Sequence, residues 1–180
     1  PQPGTPREHL PTRLYGEGGE PLPAVALAQI AALHCASLPL AFVSSLGAGF
    51  VEVMYGAIQR SPGSCVVVAT GPAGDVAGFV SGSVSRRAMF AWVMPRYGAR
   101  LALAVLRGPG SATAFRRAAE TGWYLLRAPR DRDAAGQTAA DAKGQGHAAG
   151  PADAELLSIA VAPQWQHRGV GKALVAALEA

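Results

Sequence analysis

Cysteine, lysine and aromatic residues are scarce in this chain, and long uninterrupted apolar runs are absent. Each shortage excludes something. Two cysteines, Cys35 and Cys65, do not make a disulfide framework, and neither flanks a His or acidic cluster at metal-ligand spacing. They read as small buried hydrophobes in a reducing, cytoplasmic setting, with no metal site. The longest apolar stretch, residues 88–106, is broken by Pro95, Arg96 and Arg100, so no membrane span is expected despite a mean hydropathy of +0.17. The first residues lack a basic region followed by an apolar core, so no signal peptide is expected.

What the chain has is apolar bulk and arginine. At 180 residues, 49% apolar and 16% charged, it reads as one soluble domain long enough to bury a sizeable core. Arginine outnumbers lysine 14 to 2, which with the abundant alanine is the bias expected of a GC-rich bacterial genome. Ten arginines fall between Arg86 and Arg132 against two acids, Glu120 and Asp131, so this segment carries the net charge of +4 and more. It reads either as solvated helix faces or as a surface attracting phosphates, an acidic acceptor or an acidic partner. Nucleic acid is not expected, because the arginines lack interleaved aromatics and any DNA-reading motif.

Residues 1–22 read as an irregular arm crowded by Pro1, Pro3, Pro6 and Pro11, with one short strand near Arg13, Leu14 and Tyr15. Pro23 suits a helix start, and the nearly all-apolar run Ala24–Ser37 predicts a helix buried on most sides, ended by Pro39. Phe50, Val53, Met54, Ala57 and Ile58 share one face of a second helix over about residues 46–60. The β-branched run from Cys65, the turn Gly71-Pro72-Ala73-Gly74 and the stretch 76–84 predict a hairpin. Helical patterns follow over 87–107 and 111–127, the second with Phe115, Ala119, Gly122, Trp123 and Leu126 on one face. Residues 129–153, rich in Ala, Gly, Asp and Gln, predict a flexible linker.

The most informative stretch comes last. A strand-like run, Glu155–Val161, leads through Gln166-His167-Arg168-Gly169-Val170-Gly171 into a helix over 172–179. Glycines between strand and helix let a backbone approach a diphosphate, while the N–H groups and positive dipole end of the helix face the anion. Charge-assisted hydrogen bonds contribute about 1.5–3 kcal/mol each. A Walker loop is excluded because Gln166 stands where its first glycine belongs and Ala173 where Ser or Thr belongs. A Rossmann turn is excluded because Leu174 replaces its third glycine.

The remaining pattern, Gln-x-x-Gly-x-Gly after a strand ending Val161-Ala162-Pro163, resembles the acyl-CoA signature of the GNAT superfamily of N-acyltransferases. The resemblance runs unbroken over residues 155–178, and the first helix and hairpin follow in the family's order. It implies an α/β (α+β) fold, a mixed and mainly antiparallel sheet flanked by helices, with helices 87–127 as an insertion between the third and fourth strands. It implies acetyl-CoA as co-substrate and transfer of the acyl group directly to an amine acceptor. The backbone of Ile159, Ala160 and Val161 would pair with the pantetheine arm, and amides from Arg168 through Gly169, Val170, Gly171 and Lys172 to Ala173 would hold the pyrophosphate. Gln166 would fix the loop, and His167 and Arg168 would stand beside the phosphates.

The family's fifth strand, a fourth helix often carrying a Tyr general acid, and the closing strands have no counterpart in residues 1–180. This leads to the expectation of a fragment of a longer enzyme, of a second copy or strand-supplying partner at an open sheet edge, or of a reduced fold. The alternative to an enzyme is a non-catalytic acyl-CoA-binding or protein-interaction module. Glu155, eleven residues before Gln166, is the expected general base. It shares strand parity with Leu157, Ile159 and Val161, so desolvation among Leu and Ile is expected, unless it merely begins the strand and faces water. His34 reads as a core or helix-end histidine, and Trp92, Trp123 and Tyr124 either line an acceptor pocket or fasten the extra helices.

Overall fold

The computed structural model describes residues 11–16, 19–108 and 154–180. The helix expected over 111–127, the linker over 129–153, Trp123, Tyr124 and most of the N-terminal arm lie outside the described residues.

Four strands form one antiparallel sheet in the order β1 (Thr12–Gly16), β2 (Ser64–Thr70), β3 (Val76–Ser83), β4 (Glu155–Val161). The prolines of the arm do not prevent β1. Pro11 lies just before it, where its missing N–H is not needed, and its carbonyl accepts from Thr70 N at 3.1 Å. The β2–β3 hairpin closes where expected, with Gly71 N donating to Asp75 O at 2.8 Å. β3 is buried along its whole length, which requires a helical layer on each face of the sheet.

On one face lie α1 (Ala24–Ser37), a single turn α2 (Phe42–Ser45), α3 (Ala48–Ile58) and α4 (Arg86–Arg107). Ile30, Val51, Met54, Met89 and Val93 from these helices pack with Val66, Val68 and Phe79 of the sheet. On the other face α5 (Val170–Leu178) packs Val170 and Leu174 against Val67, Ala69, Ala77 and Val80. Its approach is close: a Cβ on Gly78 would stand 3.2 Å from Leu174 Cδ1 and 3.0 Å from Ala160 O. α4 begins at Ser85, whose side-chain oxygen accepts from Ala88 N at 3.2 Å, an N-cap. Among the described residues, no helix is long and apolar enough to cross a membrane.

Two sequence expectations need correction. α1 is not buried on most sides: Ile30, Ala31 and His34 are buried, while Val25 is 70% exposed. Only the side against the sheet and α3 is covered, and alanines on the free side carry little apolar area to hide. α3 starts at Ala48 rather than near residue 46, because Gly47 takes φ 93 and Leu46 packs with Val105 of α4. Its most buried face holds Val51, Met54, Tyr55 and Ile58, while Phe50 and Val53 are half-buried.

Leu174, fully buried, joins α5 to the sheet. Leu174→Ala is expected to lower the unfolding free energy by about 2–5 kcal/mol. Urea denaturation followed by circular dichroism measures this, and an unchanged midpoint would show that α5 does not dock through this residue.

Candidate active site

The site is built around β4, the last strand of the sheet among the described residues. Its partner β3 sets the register: Val161 opposite Gly78, Ala160 opposite Phe79, Ile159 opposite Val80 and Ser158 opposite Ser81. The ladder then slips, and Leu156 stands opposite Gly82 and Glu155 opposite Ser83. Leu157 is therefore an extra residue, a β-bulge. Antiparallel strands bond through alternate residues, and Ala162 N donates to Ala77 O at 2.9 Å, so Ala160 also turns its main chain toward β3. Ile159 and Val161 turn theirs toward the outer edge. The edge thus offers these two residues to an added strand, not the expected run of three.

The bulge also overturns the expected parity of Glu155. Opposite Ser83, it shares a face with Ser158 and Ala160, while Ile159 and Val161 pack against α5. Its side chain is 45% exposed and lies 3.3 Å from Arg86 Nε, at the first residue of α4. An enclosure by Leu and Ile is not what surrounds it: a cation at the start of α4 stands beside it instead.

Beyond β4, a 3-10 turn, Pro163–Trp165, leads to the glycine loop. Gln166 Nε2 donates to Val161 O at 3.1 Å, tying the loop back to the strand's outer edge. His167 takes φ 61 and Gly169 φ 88, so the chain turns through two left-handed residues before α5. At Gly169 a side chain would be strained although the space around it is open. The first bond of α5 is Ala173 N to Gly169 O at 3.1 Å. Ala173 is thus removed from the expected anion cradle, whereas the N–H groups of Val170, Gly171 and Lys172 precede that bond and have no partner within the helix. The guanidinium of Arg168 lies 5.1 Å from the Trp165 ring centroid, beside the loop.

Sequence reasoning missed a polar network under the bulge. Tyr55 of α3, 3% exposed, places its hydroxyl 2.6 Å from Ser158 Oγ and 2.8 Å from His34 Nδ1. Ser81 Oγ completes it, 2.8 Å from Ser158 Oγ. These residues come from α1, α3, β3 and β4, so no local pattern could have grouped them. The one available signal was a tyrosine, Tyr55, between apolar positions of a helix. Burial pushes the Tyr55 phenol up to about 12, outweighing the hydrogen bonds from Ser158 and Ser81, so it stays protonated at neutral pH. Burial likewise raises Cys35 and Cys65, two free half-buried thiols, in keeping with an inert role.

The network floors a cavity of about 220 Å³ lined also by Met54, Met89, Phe90 and Leu157, with Arg86 and Glu155 at its rim. A larger hollow of about 550 Å³, between the start of α3 and the end of α4, contains no residue of β4. Trp92 does not line the cavity: within α4 it packs with Tyr97 at 5.9 Å between ring centroids, Arg96 lies 4.7 Å from its ring, and it is partly buried against the core. Among the described residues no His, Cys, Asp and Glu cluster can hold a metal ion.

Burial holds the His34 imidazole below its ordinary value of 6.5. The unfolded chain therefore binds more protons below that value, so this stability is full above about pH 6.5 and is lost as pH falls through the lower folded-state value. Thermal melts from about pH 7 to about pH 5 are expected to fall more steeply in the wild type than in His34→Gln, by up to about 1.4 kcal/mol per pH unit. Parallel curves would show that His34 does not titrate differently on folding.

The family model for the Acetyltransferase (GNAT) family matches residues 87–180, more than half of the chain, and takes in α4, β4, the glycine loop and α5. No curated protein and no solved structure matches the chain significantly. The strand, the bulge, the left-handed loop and the helix that follows all lie within this match, and the chain belongs to the GNAT acetyltransferase family.

Proposed function

We propose that the protein is an N-acetyltransferase that moves the acetyl group of acetyl-CoA directly to an amine. Acetyl-CoA supplies the activated thioester, and the amine displaces its thiol. The observation that carries the reading is the order of β4, its outer edge and the left-handed loop into α5. Ile159 and Val161 turn main-chain groups outward, and Gln166 holds the loop at 3.1 Å from Val161 O. The amides of Val170, Gly171 and Lys172 and the dipole of α5 suit the pyrophosphate, with the side chains of Arg168 and Lys172 adding cations and His167 standing beside it. The main-chain contacts do not depend on side-chain identity except at Gly169, where φ 88 favours glycine.

Glu155, at the rim of the 220 Å³ cavity, accepts the proton of the amine. Its place on the inner face, across from Ser83, supports this better than the parity first assumed, because the cavity opens on that face. The chain acts as one domain in this reading, with α4 as a wall of the cavity. The open edge of β4 suits a strand from a partner or a second copy.

Two variants and one ligand test the reading. Glu155→Gln is expected to lower kcat for thiol release from acetyl-CoA about 100- to 10,000-fold while leaving CoA affinity unchanged. CoA is expected to raise the melting temperature of the wild type and to do so less for Gly169→Val, whose loop is strained. Stabilisation by CoA without thiol release across an amine panel would favour a non-catalytic CoA-binding module. Neither signal would remove both readings.

A further inference from the structure

The rim of the cavity beside β4 pairs a cation with an anion, and its walls are apolar. Arg86 Nε and Glu155 Oε2 lie 3.3 Å apart, with side chains 63% and 45% exposed, so a ligand can reach both from solvent. An exposed pair of this kind is held weakly and gives way readily to a ligand that satisfies both charges. Below the rim stand Met54, Met89, Phe90 and Leu157, with Val43 and Ile58 completing the wall. The polar atoms of the floor are engaged with one another, Tyr55 with His34 Nδ1 and Ser158, and Ser158 with Ser81, except His34 Nε2, which has no partner but is itself buried and presents no surface to an occupant. An occupant therefore needs no polar group at its inner end, and a polar one would meet apolar walls.

We infer that the acceptor is a small α-amino acid with an apolar side chain. Its carboxylate binds Arg86, its amino group binds Glu155, and its side chain enters the cavity. The inference rests on the acyl-transfer reading above and names the substrate of that same site. An α-amino acid carries an anion and a cation on adjacent atoms of one centre, the complement of the adjacent Arg86 and Glu155. Binding exchanges one exposed ion pair for two charge-assisted contacts. The volume of about 220 Å³ accommodates a branched aliphatic or single aromatic side chain and excludes a folded protein surface from full entry, while an amino sugar would set its hydroxyls against apolar walls.

This arrangement gives Arg86 a second effect. When the substrate carboxylate takes the guanidinium, Glu155 is left facing the ammonium rather than Arg86. Glu155 accepts one proton from the ammonium, and the neutral amine forms the new N–C bond as the C–S bond breaks. The second amine proton goes to solvent and the sulfur leaves as thiolate. A substrate without a carboxylate leaves Arg86 on Glu155 and is used less well.

The test compares phenylalanine and leucine with 2-phenylethylamine and isopentylamine, which keep the amine and apolar body but lack the carboxylate. Thiol release from acetyl-CoA is measured with wild type and Arg86→Gln, and binding of each compound to the protein is measured by calorimetry. The expected result is preference for the amino acids, with KM rising about ten- to hundredfold in Arg86→Gln for the amino acids, whereas use of the amines does not fall and improves as Glu155 is released from Arg86. Calorimetry is expected to show the same loss of amino-acid affinity without any turnover. Equal use of amines and amino acids by the wild type, or an Arg86→Gln effect of equal size on both, would overturn the inference and leave the acyl-transfer reading standing. No thiol release with any amine, together with no stabilisation by CoA, would overturn that reading and the inference with it.

Discussion

Burial of β3 on both faces is the constraint from which the rest of the structure follows. A strand with no solvent face needs a helical layer above and below and a strand on each side. α5 supplies one layer and packs so tightly at Gly78 that Ala160 O and Leu174 leave no room for a side chain there. α1, α3 and α4 supply the other. Because α5 is pressed against β3, its N-terminus is brought to the end of β4, where the chain must reverse within the few residues between Val161 and Val170. The left-handed turn at His167 and Gly169 is how it does so.

The bulge at Leu157 divides the labour of β4. Past it, Ile159 and Val161 face α5 and turn their main chain outward; before it, Glu155 lies on the face of α3 and α4. A regular strand would put Glu155 against the α5 side, away from the cavity. The buried chain of Tyr55, Ser158 and Ser81 sits beside the bulge and gives its side-chain hydroxyls partners. A buried network in which hydroxyls satisfy one another fixes geometry more firmly than apolar contact alone, since each misplacement leaves a buried polar group unpaired. His34 Nε2 is the exception, buried without a hydrogen-bond partner, and burial of the ring lowers its tendency to take a proton.

The local elements were legible because their signals are local. Ala24–Ser37 and Glu155–Val161 fall where proline placement and apolar patterning put them, and the hairpin turn where its glycines do. Even β1 was readable at Arg13, Leu14 and Tyr15 inside a proline-rich arm, since a proline just before an edge strand removes no needed donor. The Gln166-to-Gly171 spacing was enough to separate this loop from Walker and Rossmann turns, because each of those demands a particular residue at a particular position. What failed were statements that depended on packing between distant elements: how much of α1 is covered, which face of α3 is deepest, and what surrounds Glu155.

By itself, then, the sequence determined the order of the elements, the glycine loop and the family to which its strand and helix belong, since propensity, turn chemistry and motif spacing act over a few residues. Tertiary structure alone decided the face of Glu155, its pairing with Arg86 and the joining of His34, Tyr55, Ser81 and Ser158. A bulge arises from the register between two strands, and an ion pair or buried network from residues tens of positions apart. No periodicity along one segment encodes either.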